Sequence, residues 1–248
     1  MDERSFVPSP AERPVGGAPT LAGPAAGSPL ADPRALSILT TEHWSLLTAR
    51  SLVYNEAFAR AGMFLSFLAA SLVAIGLMSA AMGFSPGFLS VAILILGLDL
   101  FIGLVTAGRV STATAEDIRM LQGMNRLRHA YHETVPGLER YFITGQYDDV
   151  AGVFQLYQAD VDLHSRGSIL HGFTTVVGMV AVIDAALTGV LAAVVALLAT
   201  GAGAASVIAG LVAFGVALLI GIASVIRSTE AMAEGLRAEF PTPPPAGS

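Results

Sequence analysis

Four uncharged or nearly uncharged apolar runs, 61–82, 88–107, 173–199 and 205–226, limit what this chain can become. At 1.5 Å of rise per residue, each is long enough to cross a hydrocarbon core about 30 Å thick. Inside such a core every backbone N–H and C=O must bond within the chain, which leaves helices or a closed barrel, and runs of this length are helices. The sequence therefore predicts an all-α membrane protein, with four transmembrane helices as two tandem hairpins and with juxtamembrane cytoplasmic helices. Composition agrees: 54% of residues are hydrophobic and 13% charged, against about 25% charged in a typical soluble domain. The links 83–87 and 200–204 carry no charge and are short enough to be tight turns. All 13 basic residues are Arg; they lie before the first run, between Arg109 and Arg166, or after Ile226. The positive-inside rule then puts both termini and the centre in the cytoplasm of a bacterial inner membrane.

The same inventory narrows function. A net charge of −6 offers no basic field for nucleic acid. No Cys is present for disulfide, thiolate-metal or nucleophile chemistry, and no Lys for Schiff-base chemistry. The segment 108–168 shows neither strand pattern nor phosphate loop, so no enzyme and no cofactor are expected. The expected partners are the lipid bilayer, a second copy of the chain and a cytoplasmic protein.

Along the chain, residues 1–34 read as a disordered Pro/Ala/Gly-rich tail, too polar in its start to be a signal peptide. Residues 35–60 read as an interfacial lead-in helix. Thr41-Glu42 is a reasonable helix start, Trp44 and Tyr54 are headgroup-level aromatics, and Glu56 and Arg60 form an i,i+4 pair. Residues 61–107 form the first hairpin. The segment 108–168 opens with a helix over 111–134 whose apolar stripe is Met120, Met124, Leu127 and Tyr131, broken at Pro136-Gly137. Asp148-Asp149 starts a second short helix with Val150, Val153, Phe154, Tyr157 and Val161 on one face. These two helices can pack on each other or on a partner. Residues 169–226 form the second hairpin, and 227–248 a short helix to Phe240 followed by a disordered end.

Shifting the chain by 118 residues superposes Arg109, Glu116 and Arg119 on Arg227, Glu234 and Arg237, together with several Gly and Ala positions. This pattern reads as a duplicated unit whose copies share one orientation. Small-residue stripes at i,i+4 spacing, Ala181, Ala185, Gly189 and Ala193 against Gly201, Ala205, Ala209, Ala213, Ala217 and Gly221, predict that the third and fourth spans pack on each other. Either stripe could instead serve a homo-oligomer.

Two acids stand out. Asp99 and Asp184 each lie about ten residues deep in an apolar run, where a carboxylate costs roughly 2.5–3.5 kcal/mol on insertion scales. Asp99 shares its helical face with Ala92, Gly103 and Thr106, and Asp184 shares its face with Thr188, so Asp99, Asp184, Thr106 and Thr188 are the ion- or proton-binding candidates. The plainer account is a pair of acids hydrogen-bonded between helices. His129 and His132, with His164, Asp160 or Asp162 from the second short helix, are candidate metal ligands by spacing, although the order H-x-x-H-E matches no protease signature and a solvated helix face explains them more simply.

The run from Leu39 to Phe58, LTTEHWSLLTARSLVYNEAF, resembles the start of certain uncharacterised actinobacterial multi-pass membrane proteins. The resemblance implies a bacterial inner-membrane location and carries no activity. A hairpin flanked by cytoplasmic helices is also similar in outline to small two-span pore-forming effectors of bacterial defence systems. Two functions are therefore expected in competition: an ion or proton channel or transport component using Asp99 and Asp184, and a non-transporting scaffold or sensor that binds a cytoplasmic partner through its amphipathic helices.

Overall fold

No proline interrupts the chain between Pro33 and Pro86, and the first helix uses that whole freedom. In the computed structural model, which describes residues 27–155 and 175–244, α1 spans Ala35–Met82 without a break. The lead-in is thus the first half of the same helix that carries the first apolar run, with no break between the two. Thr41 is not the cap; its hydroxyl donates back to Ser37 O inside the helix. The chain enters α1 through a 3₁₀ turn, Pro29–Ala31, capped by Ser28, and Asp32 accepts from the Arg34 N–H. The last eight residues of the expected tail therefore have local structure.

Gly83, at φ 59, ends α1, and Ser85 caps the Phe88 N–H to open α2 with Pro86 in its first turn. α2 spans Pro86–Thr134, and the following Val135-Pro136-Gly137 stops it as the sequence predicts, with Gly137 at φ 90. Asp149 accepts from the Gly152 N–H at 2.8 Å to start α3, Val150–Phe154. Thr175 caps α4, Val176–Thr200, which closes on Gly201 at φ 65, and α5 follows as Gly203–Gly235. α1, α2, α4 and α5 are each long and apolar enough to cross a membrane. α5 in particular leaves Val207, Ile208, Leu211 and Leu219 more than half exposed, surface that is stable against lipid tails and not against water.

α1 and α2 pack antiparallel, and both outrun their apolar halves by about 40 Å at 1.5 Å per residue. This stem is tied by charge. Arg50 pairs with Asp117, which also accepts from the Tyr54 hydroxyl, so Tyr54 keeps an exposed ring while its polar tip reaches a carboxylate of α2. Arg109 bridges Glu56 and Glu116, and Glu56 also holds Arg60 at 2.9 Å, as the i,i+4 spacing predicts. The buried face of the α2 stem runs through Asp117, Ile118, Leu121, Met124, Asn125 and Arg128, rotated from the expected Met120–Tyr131 stripe. Ile118 and Leu121 meet Val153 and Phe154 of α3, so the two short amphipathic faces pack on each other. Tyr157 and Val161 lie outside the described residues.

The residues that the 118-residue shift matches take different parts. Arg109 joins two carboxylates, whereas Arg227 donates to the Ala223 carbonyl of its own helix.

α4 and α5 make the closest helix contact. A methyl placed on Gly189 would lie 2.9 Å from Gly210 O and 2.9 Å from Phe214 Cβ, and one on Gly210 would lie 3.0 Å from Ala193 Cβ. Ala181 faces Gly221. The α4 small-residue stripe thus lines this contact, while on α5 the buried residues are Ser206 and Gly210, neither a member of the expected stripe, of which Gly221 meets Ala181 and Ala205 is exposed.

The chain beyond α5 continues along α2. Helix ends at Gly235, short of Phe240, and residues 236–242 lie against α2 and the start of α3. Burial alone would raise the Asp148 carboxyl, but the N–H groups of Glu239 and Phe240 and the Arg126 guanidinium together hold it below the ordinary carboxylate value. The contacts it makes are thus fully present at neutral pH and are lost only as pH falls through that lowered value.

The Gly189–Gly210 contact yields a direct prediction. Gly189→Ala forces α4 and α5 apart and lowers stability by about 1–3 kcal/mol, whereas Gly215→Ala on the same α5, where a methyl meets nothing within 4 Å, is neutral or slightly stabilising. Unfolding titrations in mixed detergent measure both.

Candidate functional site

Asp99 lies on the face of α2 that carries Ala92, Leu96, Gly103 and Thr106, and all five are buried. Its side chain is 0% exposed. One carboxylate oxygen accepts from the Ser71 hydroxyl of α1 at 3.0 Å, and the other has no donor among the described residues. Ser71 itself is buried and bonds across to α2.

Asp184 enters from α4. Its carboxyl packs against the Cα of Gly103, where any side chain on residue 103 would collide with it and with the Phe64 ring. Gly103 is four residues beyond Asp99, so Asp184 reaches α2 about 6 Å further along the same face. The two acids therefore converge on one seam between α1, α2 and α4. Around them stand Phe64, Leu96, Val180 and Leu187, an apolar cluster that continues into Leu100, Ile183 and Leu191.

The decisive difference between the acids is in their partners. Among the described residues neither oxygen of Asp184 has a hydrogen-bond partner, although the residue is 5% exposed. A buried polar group without a partner costs about 1–3 kcal/mol, and hydrogen-bond glue between helices requires a partner. Asp99 makes one such bond; Asp184 makes none.

Thr106 and Thr188 sit beside the acids without bonding to their carboxyls. The Thr106 hydroxyl donates to Ile102 O and the Thr188 hydroxyl to the backbone oxygen of Asp184, each at 2.8 Å. Their hydroxyl protons are spent on their own helices. They border the seam, and their hydroxyl oxygens keep lone pairs that can still accept.

The histidines are engaged by aromatic and acidic neighbours. His129 stacks on Phe240 with 4.0 Å between ring centroids and lies 3.4 Å from Glu133; His132 lies against Phe142 and 3.8 Å from Glu139. No group of three or more metal-ligating side chains occurs among the described residues. His164, Asp160 and Asp162 lie outside them.

Sequence reasoning passed over Ser71, the hydroxyl partner of Asp99, because a Ser in an apolar run reads as one more small residue. It also passed over Asp117 and Asp148, 1% and 0% exposed, since acids on amphipathic helices ordinarily face water. No family model, no curated protein and no solved structure matches this chain.

The geometry predicts that Asp184 works against stability. Asp184→Leu, close in shape and free of orphaned oxygens, raises unfolding free energy by about 1–3 kcal/mol. Asp99→Leu gains less because it forfeits the Ser71 bond. Reversible unfolding in mixed detergent measures the two, and a comparable loss in Asp184→Leu would show the acid to be a structural tie.

Proposed function

We propose that the chain is an integral component of a bacterial cytoplasmic membrane in which Asp99 and Asp184 form a site for proton or cation passage between α1, α2 and α4. The observation that carries this reading is the pair of unpartnered Asp184 oxygens, buried against Gly103 one turn from Asp99. An acid retained in an apolar seam at a cost to stability needs a return other than packing. Exchange of a proton or cation supplies one. The Ser71 hydroxyl, already donating to Asp99, extends the polar path across to α1. The stem faces the cytoplasm in this reading, supported by the distribution of Arg, none of which lies in the 83–87 or 200–204 links. A second copy packed on the exposed face of α5 would enclose a wider path than four helices allow.

One observation favours a scaffold or sensor as the second reading. The α1 half of the stem exposes Leu36, Ile38, Trp44, Leu52 and Phe58, each more than half accessible. Apolar side chains on a polar stem suit a protein partner. Met124 and Phe154, which sequence spacing would offer to such a partner, are core residues here, at 4% and 8% exposure, so the partner would meet α1.

Proton and monovalent-cation flux into liposomes separates the readings. Wild-type protein conducts and the folded Asp99→Asn, Asp184→Asn double variant loses at least about 90% of the flux, as removal of an intramembrane ionisable site requires. Absence of flux in wild type at every pH and voltage would favour the scaffold.

A further inference from the structure

The segment after α5 is held as a bound peptide is held, by its backbone. The Asp148 carboxylate, fully buried, accepts the Glu239 N–H at 2.9 Å and the Phe240 N–H at 2.7 Å, while its own N–H donates to Phe240 O at 3.2 Å. Asp149 accepts both the N–H and the hydroxyl of Thr242, at 3.0 and 2.9 Å. From α2, the Gln122 side-chain amide and the Arg126 guanidinium donate to Arg237 O at 3.0 and 2.7 Å. The Phe240 ring stacks on His129. These contacts read the backbone of an irregular chain, bent at Glu239 and Phe240, together with one aromatic side chain, using charged groups on the receiving side, where hydrogen bonds are strongest. The segment contributes little packing of its own: Arg237, Ala238, Glu239, Pro241 and Thr242 are all exposed.

We propose that Gln122, Arg126, His129, Asp148 and Asp149 form a peptide-recognition site whose resident occupant is the chain's own segment 237–242, making that segment a releasable latch. Its place in the fold gives the latch a consequence. α5 packs along α4, which carries Asp184, whereas α2 carries Asp99 and, on the same unbroken helix, the Gln122–His129 side of the site. A closed latch fixes the α4–α5 pair against α2; an open one leaves that pair tied to α2 mainly along the α2–α4 seam. The fitting competitor is another peptide segment that can take the same bend, with an aromatic at the Phe240 position. Because the resident segment is tethered, its effective concentration is in the millimolar range, so a competitor must be supplied at about that level.

Trypsin cleavage after Arg237 tests this in full-length protein held in lipid nanodiscs, with release of the 238–248 fragment followed by mass spectrometry. Asp148→Ala speeds this cleavage at least about tenfold, the loss expected for removing charge-assisted bonds from a local opening equilibrium. Phe240→Ala combined with Thr242→Ala, which alters the latch and leaves the receiving residues intact, speeds it comparably, while cleavage after Arg119 on α2 stays at the wild-type rate. Millimolar fluorescein-tagged peptide of residues 238–248 accelerates cleavage of wild type by displacing the latch. Equal rates after Arg237 in wild type and both variants, acceleration by Asp148→Ala alone, or indifference to the peptide would each overturn the proposal.

Discussion

The unbroken course of α2 is the constraint on which the rest of the structure depends. Backbone groups in an apolar medium must be paired within the helix, so the run that follows Pro86, free of proline from Gly87 on, continues until Pro136 removes the option. Every other long helix takes its position from α2 or from a neighbour of α2. α1 meets it through Ser71 and Asp99 in the apolar half and through Arg50, Tyr54 and Asp117 in the stem. α4 meets it at Gly103. α5 reaches it chiefly near its own end, where Met232 and Leu236 touch the Ile118 and Leu121 cluster.

Small residues decide where the acids can go. Gly103 has no side chain, and the carboxyl of Asp184 occupies the space one would fill. The same device, Gly189 against Gly210, brings α4 and α5 together where lipid gives helices no hydrophobic reason to associate. Packing in this protein is therefore close at a few glycines and apolar elsewhere, and the polar seam survives because the backbone rather than a side chain approaches it.

Much of this was legible in the sequence, for physical reasons that also explain the omissions. The four apolar runs announce helices because length and hydropathy alone settle the matter, and Asp99 and Asp184 announce themselves because a charge in such a run is costly. Their convergence was readable only as a shared depth. The orphaned state of Asp184 depends on what α1 and α2 place near it, which no spacing encodes. Thr41 looked like a cap because cap chemistry is local, whereas the earlier start at Ala35 is set by Asp32 and Ser28 in a segment whose composition reads as a tail. In the sequence 237–240 reads as the close of a helix and the prolines from Pro241 as a disordered end, because the groups that bind are mainly backbone N–H and C=O, present in every sequence, and the specificity lies in Asp148, Asp149 and Arg126, which look like ordinary surface charges until they are folded together.

The central claim is that the seam of Asp99 and Asp184 exchanges a proton or cation rather than holding helices together. Infrared difference spectroscopy of the lipid-reconstituted protein, recorded between acid and alkaline pH, tests it most directly in the carboxyl-stretch region. The account predicts a band from a carboxyl in apolar surroundings that appears and disappears reversibly with pH and is absent from Asp184→Asn. A difference spectrum identical in wild type and Asp184→Asn across the whole pH range would contradict it.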